Sequence, residues 1–109
     1  MDVDTTPTPP AVDPVAFAKA LADPTRQKIM GSCCCEWRSV GELTATAGVG
    51  QPTVSHHLAV LREAGLVNAR QEGKQTFYTL NQGRVVACCG QLLEAFAPER
   101  LAAEVIAEL

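Results

Sequence analysis

Gln51-Pro52-Thr53-Val54-Ser55-His56-His57-Leu58-Ala59-Val60-Leu61-Arg62-Glu63-Ala64 is the stretch on which the reading of this 109-residue chain turns. Proline in the first turn marks a helix start, because the amide it lacks has no intrahelical partner there, and Gly65 supplies the stop. Val54, Leu58 and Leu61 recur at helical spacing and predict a core stripe. A helix advances about 100° per residue, which turns His56 to the opposite side with Thr53 and Ser55 flanking it. The outward face is therefore polar, uncharged and rich in hydrogen-bonding groups. Such a face suits the reading of base edges in a nucleic-acid groove.

Upstream, Ser39-Val40-Gly41-Glu42 has the form of a capping box, and Gly48 closes the short helix it opens. Only Val49 and Gly50 separate that helix from the next, so the two make a helix-turn-helix. Downstream, Leu66 to Gln71 and Gln75 to Leu80 are β-prone runs around Glu72-Gly73-Lys74, a hairpin with Lys74 at its tip and Arg70 nearby. Two Asp-Pro steps, Asp13-Pro14 and Asp23-Pro24, predict two earlier helices. Phe17 and Leu21 share a face of the first, and Ile29 and Cys33, with Met30 beside them, line the second, which ends among Cys33 to Trp37. After the hairpin, Arg84 to Phe96 places Val85, Cys89, Leu92 and Phe96 at helical spacing, and Glu99 to Leu109 does the same with Leu101, Val105 and Leu109.

The expected fold is mainly α with a small β-hairpin, a winged helix-turn-helix. Residues 13–109 form one DNA-binding and dimerisation domain, and residues 1–12, rich in Pro and Thr, form a disordered tail. A domain of this size buries only about two-thirds of its unfolded surface, which favours a homodimer through the terminal helices. In that frame Gln51, Thr53, Ser55 and His56 face the major groove, while Arg70, Lys74 and Gln75 on the wing meet phosphates. His57, nearer the core stripe, serves either a phosphate or packing.

Composition narrows the function. Hydrophobic residues make up 47% and charged residues 19%, the balance of a foldable soluble chain. The net charge of −3 is unevenly spread: residues 1–14 carry −3, residues 15–80 carry +2 and residues 81–109 carry −2. The helix-turn-helix and hairpin thus lie in the only net-positive part, which leaves DNA open as a partner. The charge-free stretch Leu43 to Leu61 is broken by Gly48, Gly50 and Pro52, so no membrane span is expected. The acidic N-terminus has no apolar signal core, and a cytoplasmic location is expected. Five cysteines, in the contiguous runs Cys33-Cys34-Cys35 and Cys88-Cys89, do not resemble a spaced disulfide framework and read as thiols available for chemistry. No nucleotide loop or hydrolase motif appears, and both histidines sit on the groove-facing helix, so an enzyme is not expected.

Gln51 to Leu58, followed by Leu61-Arg62-Glu63-Ala64-Gly65-Leu66-Val67, resembles the ArsR/SmtB family of metal-responsive bacterial repressors. Ala20 to Arg26 resembles that family's entry to its second helix, and Glu72 to Tyr78 its wing. The resemblance covers about residues 17 to 80. It implies a homodimer that represses an operon by binding an inverted repeat in double-stranded operator DNA, and that releases it when an ion or oxidant alters the dimer.

The inducer sites familiar in the family do not transfer. The arsenic-binding Cys-Val-Cys falls on Ser39, Val40 and Gly41. The zinc and nickel ligands after the wing fall on a helix with no His and only Glu94, and the groove-facing helix has no cysteine for cadmium or lead. What remains is Cys33, Cys34, Cys35, Cys88 and Cys89, whose thiolates select soft ions. Three thiolates without an imidazole fit As(III) or Sb(III) best, with Cd(II), Pb(II) or Hg(II) as alternatives. Neighbouring helical residues diverge, so such a site needs a frayed helix end or a second segment. Cys33 and Cys89 lie on apolar stripes and have packing in the core as an alternative to ligation, whereas Cys34, Cys35 and Cys88 fall off the stripes and are the stronger ligand candidates. A rival reading on the same scaffold is a thiol-redox or persulfide sensor, in which two cysteines from different helices close a disulfide and distort the dimer.

Overall fold

A computed structural model describes residues 13–100. The tail expected over residues 1–12 and nearly all of the helix expected over Glu99 to Leu109 lie outside the described residues. The order is α1 (Pro14–Leu21), α2 (Pro24–Ser32), β1 (Arg38–Ser39), α3 (Val40–Ala47), α4 (Gln51–Glu63), β2 (Val67–Glu72), β3 (Gln75–Leu80) and α5 (Gln82–Phe96).

The helix starts follow the cap chemistry. Oδ1 of Asp13 accepts from the amides of Val15 and Ala16, and Oδ1 of Asp23 accepts from those of Thr25 and Arg26. The amide bonds from Arg26 and Thr25 favour the ionised form of Asp23 and hold its carboxyl below the usual value of 3.8. At α3 the capping box is complete: Ser39 Oγ accepts from the Glu42 amide, and Glu42 Oε1 accepts from the Ser39 amide. Gly48, at φ 76°, then turns the chain into α4.

The helices enclose one core. Phe17 and Ala20 of α1, Ile29 and Met30 of α2, Leu43 of α3, and Val54, Leu58 and Leu61 of α4 are all buried in it, together with Leu66, Val67 and Cys88. The stripes expected on α2 and α4 are therefore the ones that pack. Gly65, at φ 75°, makes the turn from α4 to β2, and a Cβ there would lie 3.2 Å from the Arg84 guanidinium carbon. Gly65→Ala combines left-handed backbone with that close approach and is expected to cost about 1–3 kcal/mol, read as a lowered midpoint in urea unfolding.

The second strand of the hairpin has its expected limits, the first lies one residue later than expected and takes in Glu72, and Gly73 at φ 61° stands between the strands. Its register pairs Val67 with Leu80, Arg70 with Phe77 and Glu72 with Gln75. One strand was not foreseen. β1, only two residues long, pairs antiparallel with β3 through Arg38 and Tyr78, giving a three-stranded sheet in the order β1-β3-β2.

On α5 the expected apolar stripe is off by one position. Cys88 is 1% exposed, flanked by the partly buried Val85 and Leu92, while Cys89 is exposed and Phe96 is 81% exposed. Steps of three and four residues are interchangeable on a helix face, so 85-88-92 and 85-89-92 are both valid stripes. The packing of α5 on α1 selects the first.

Candidate functional site

The face of α4 that turns away from the core carries Gln51, Thr53, Ser55 and His56, all exposed. Val54, Leu58 and Leu61 hold the opposite face in the core, which fixes the rotation of the helix about its axis. His57 stands apart from its expected companions. It is 9% exposed, and its Nδ1 lies 3.1 Å from Nη1 of Arg26 on α2. A guanidinium only donates, so Nδ1 is the acceptor in this contact. His57 thus lies among the packed side chains where α2 meets α4.

Arg26 is a residue that sequence reasoning did not single out. Its Nε donates to the Ala20 carbonyl at 2.8 Å and its Nη2 to the Lys19 carbonyl at 3.1 Å. One side chain thus ties the end of α1, the start of α2 and the inner face of α4. Its signal was the Asp23-Pro24-Thr25-Arg26 step, where a cation is carried into a helix N-terminus despite the unfavourable dipole.

On the wing, Arg70, Lys74 and Gln75 are exposed, and the tip is braced by Gln71, whose Nε2 donates to the Gly73 carbonyl and whose Oε1 accepts from Thr76 Oγ1. Arg70 is the member that is already engaged. Its Nε is 2.8 Å from Glu72 Oε2, and its guanidinium carbon lies 4.4 Å from the ring centroid of Trp37. That is a cation–π contact between the wing and the loop that follows α2.

The cysteines separate into two environments. Cys33 caps α2 and is buried, its carbonyl accepting from the Leu80 amide at 2.8 Å and from Thr79 Oγ1 at 3.3 Å. Burial pushes the thiols of Cys33 and Cys88 up from the ordinary value, which keeps them protonated and poorly nucleophilic. Cys34 and Cys35 lie in the loop beyond α2, half-buried and exposed respectively, and are joined to each other as a disulfide. Gln82, the first residue of α5, donates to the Cys34 carbonyl at 2.6 Å and lies 4.0 Å from Cys35 Sγ. Cys89 is exposed on α5. Among the described residues, no three His, Cys, Asp or Glu side chains come together as a metal-holding group.

A helix-turn-helix whose second helix shows a polar outer face, followed by a hairpin with cations along it, defines a winged-helix DNA-binding protein. The chain matches the model of the bacterial regulatory protein, arsR family, over residues 23–69. It is 40% identical over 90 residues to a biofilm growth-associated repressor of Agrobacterium fabrum, covering 82% of this chain and 77% of that protein. Over 69 residues it is 42% identical to a probable mercury resistance operon repressor of Streptomyces lividans, covering 63% of this chain and 55% of the other. The solved structure of reduced HlyU from Vibrio cholerae superposes with a TM-score of 0.60 at 35% identity, over 76% of this chain and 86% of that one. This chain belongs to the arsR family of bacterial regulatory proteins, and it is a transcription regulator, not an enzyme. Among the described residues no helix is long and apolar enough to cross a membrane.

Proposed function

We propose that the chain is a homodimeric repressor that binds an inverted repeat and leaves it when its accessible cysteines react. The observation that carries DNA binding is the exposed quartet Gln51, Thr53, Ser55 and His56 on a helix whose other face is locked in the core. Two copies would place these quartets in successive major grooves about 34–36 Å apart, with Arg70, Lys74 and Gln75 on the flanking phosphates. Val86 and Phe96 of α5 and Val15 of α1 are large apolar side chains left exposed, and they support pairing through the terminal helices.

Control through oxidation is the first reading, because Cys34, half-buried, and Cys35, exposed, are the sulfurs that the fold holds together. Ligation of a thiophilic ion, As(III) or Sb(III) before Cd(II), Pb(II) or Hg(II), is the second. It is favoured by the same accessible pair, which offers two soft thiolates when reduced, and by likeness to the probable mercury resistance operon repressor. Either reaction would act through a coupling of about 1–3 kcal/mol, a 5- to 150-fold loss of operator affinity.

The DNA-binding part is tested by fluorescence anisotropy of the reduced protein on duplexes from its own promoter, with sedimentation to count protomers. Binding of one dimer to an inverted repeat, at least about 1,000-fold tighter than to a scrambled duplex, is expected. Equal affinity for both duplexes would contradict the proposal.

A further inference from the structure

We propose that Cys34 and Cys35 form a dithiol–disulfide switch whose state is passed to the wing through the stacking of Arg70 on Trp37. This rests on the reading that the wing meets phosphates and that thiol chemistry controls the protein. It names the two sulfurs and the route by which they act.

Four contacts converge on the short segment between α2 and α3. Cys34 and Cys35 are bonded to each other, Gln82 of α5 holds the Cys34 carbonyl, and Arg38 Nε donates to the Ser32 carbonyl at 3.1 Å. Two residues beyond the disulfide, Trp37 lies under the Arg70 guanidinium, whose Nε is also paired with Glu72. The cation that the wing would offer to a phosphate is therefore already held within the protein while the disulfide is closed, by Glu72, by Trp37 and, at 6.0 Å from its ring centroid, by Phe77 of the same hairpin. Adjacent cysteines can bond only if the backbone between them takes a restricted conformation, so opening the bond gives freedom back to the loop that carries Trp37. Arg70 then exchanges the indole for a phosphate. Cys33 and Cys88 are unsuited to this role, being buried with thiols that burial keeps protonated.

The oxidant class is a hydroperoxide. The thiolate of one cysteine attacks the peroxide oxygen, the O–O bond breaks, and a sulfenic acid and an alcohol result, the first thiol's proton going to the alcohol oxygen. The second thiol attacks the sulfenic sulfur, forming the S–S bond and expelling water, which carries off the remaining proton. Two electrons pass from the two sulfurs to the peroxide. A small-molecule dithiol reverses the step by exchange.

The test is operator binding by anisotropy across a salt series, for protein reduced with dithiothreitol and protein oxidised with a slight excess of cumene hydroperoxide. Oxidation is expected to weaken binding at least fivefold and to make the slope of log affinity on log salt shallower by about 0.9 per wing cation withdrawn. Arg70→Gln should bind weakly in both states, with the difference between them reduced below about twofold. Cys35→Ser and the double Cys34→Ser/Cys35→Ser variant should keep reduced-state affinity after peroxide. Trp37 is the only tryptophan, so its emission should shift on oxidation of the native protein without DNA present. Equal affinity and emission in both states would overturn control by these thiols. A redox difference that persists undiminished in Arg70→Gln, with an unchanged salt slope, would overturn the wing route alone. A response retained in the double serine variant would move the chemistry to another cysteine and overturn the site. Failure of the reduced native protein to bind any promoter duplex would instead overturn the DNA-binding reading on which all of this rests.

Discussion

Replacing His56 by alanine is expected to weaken operator binding by about 1–3 kcal/mol, roughly 5- to 150-fold, and to relax the sequence preference at the base pairs it faces. The reasoning is geometric. His56 is exposed at the centre of the outward face of α4, while its neighbours Val54 and Leu58 are anchored in the core, so it cannot rotate inward to avoid a groove. A contact to a base edge is lost only for the sequences that offered it, whereas a phosphate contact is lost for all. Selection of binding sites from a randomised duplex pool separates these: His56→Ala should broaden the selected motif, and Lys74→Ala should lower affinity uniformly while flattening the salt dependence by about 0.9. A motif unchanged in the His56 variant would remove that residue from base reading. The thermal midpoint of the variant should stay close to native, since the side chain leaves no cavity.

Leu58→Ala is expected to have the larger effect on folding, a loss of about 2–5 kcal/mol. Leu58 is fully buried where α4 meets the other helices, and the cavity it leaves is walled by side chains fixed on separate elements. A domain of this size has about 5–15 kcal/mol in total, so the change removes a large fraction. Urea unfolding followed by circular dichroism should show a much lower midpoint with the same slope. A shift below about 1 kcal/mol would mean that α4 is not held as described. Operator affinity would fall with the folded fraction, and saturating DNA should restore part of the lost stability because DNA binds the folded form and not the unfolded one.

Most of the helical frame was legible because its boundaries are written in local chemistry. Asp13, Asp23 and Ser39 cap helices through hydrogen bonds to amides two or three residues on, and Gly48 and Gly65 stop them with left-handed backbone. The hairpin was equally local. What escaped depends on contacts between elements. The strand Arg38–Ser39 is too short to carry an alternating pattern and exists because β3 offers it partners. The phase of α5 was ambiguous because Val85 and Leu92 fit stripes through either Cys88 or Cys89, and both candidates are the same residue type. For the candidate site, periodicity placed Thr53, Ser55 and His56 on the outer face of α4, where they are exposed. The Arg26–His57 link, the placing of Trp37 beneath Arg70 and the hold of Gln82 on the cysteine loop each join residues far apart in sequence, and no spacing rule reports them.

The most direct test of a DNA-binding regulator governed by its thiols is a single anisotropy titration series on the inverted repeat from its promoter. The protein is taken reduced, reduced with stoichiometric arsenite, oxidised with cumene hydroperoxide, and oxidised then returned with dithiothreitol. The account predicts tight binding by the reduced dimer, a 5- to 150-fold loss after oxidation, and full recovery with dithiothreitol, with arsenite reporting whether the same thiols also take a soft ion. Identical affinity in all four states would contradict it.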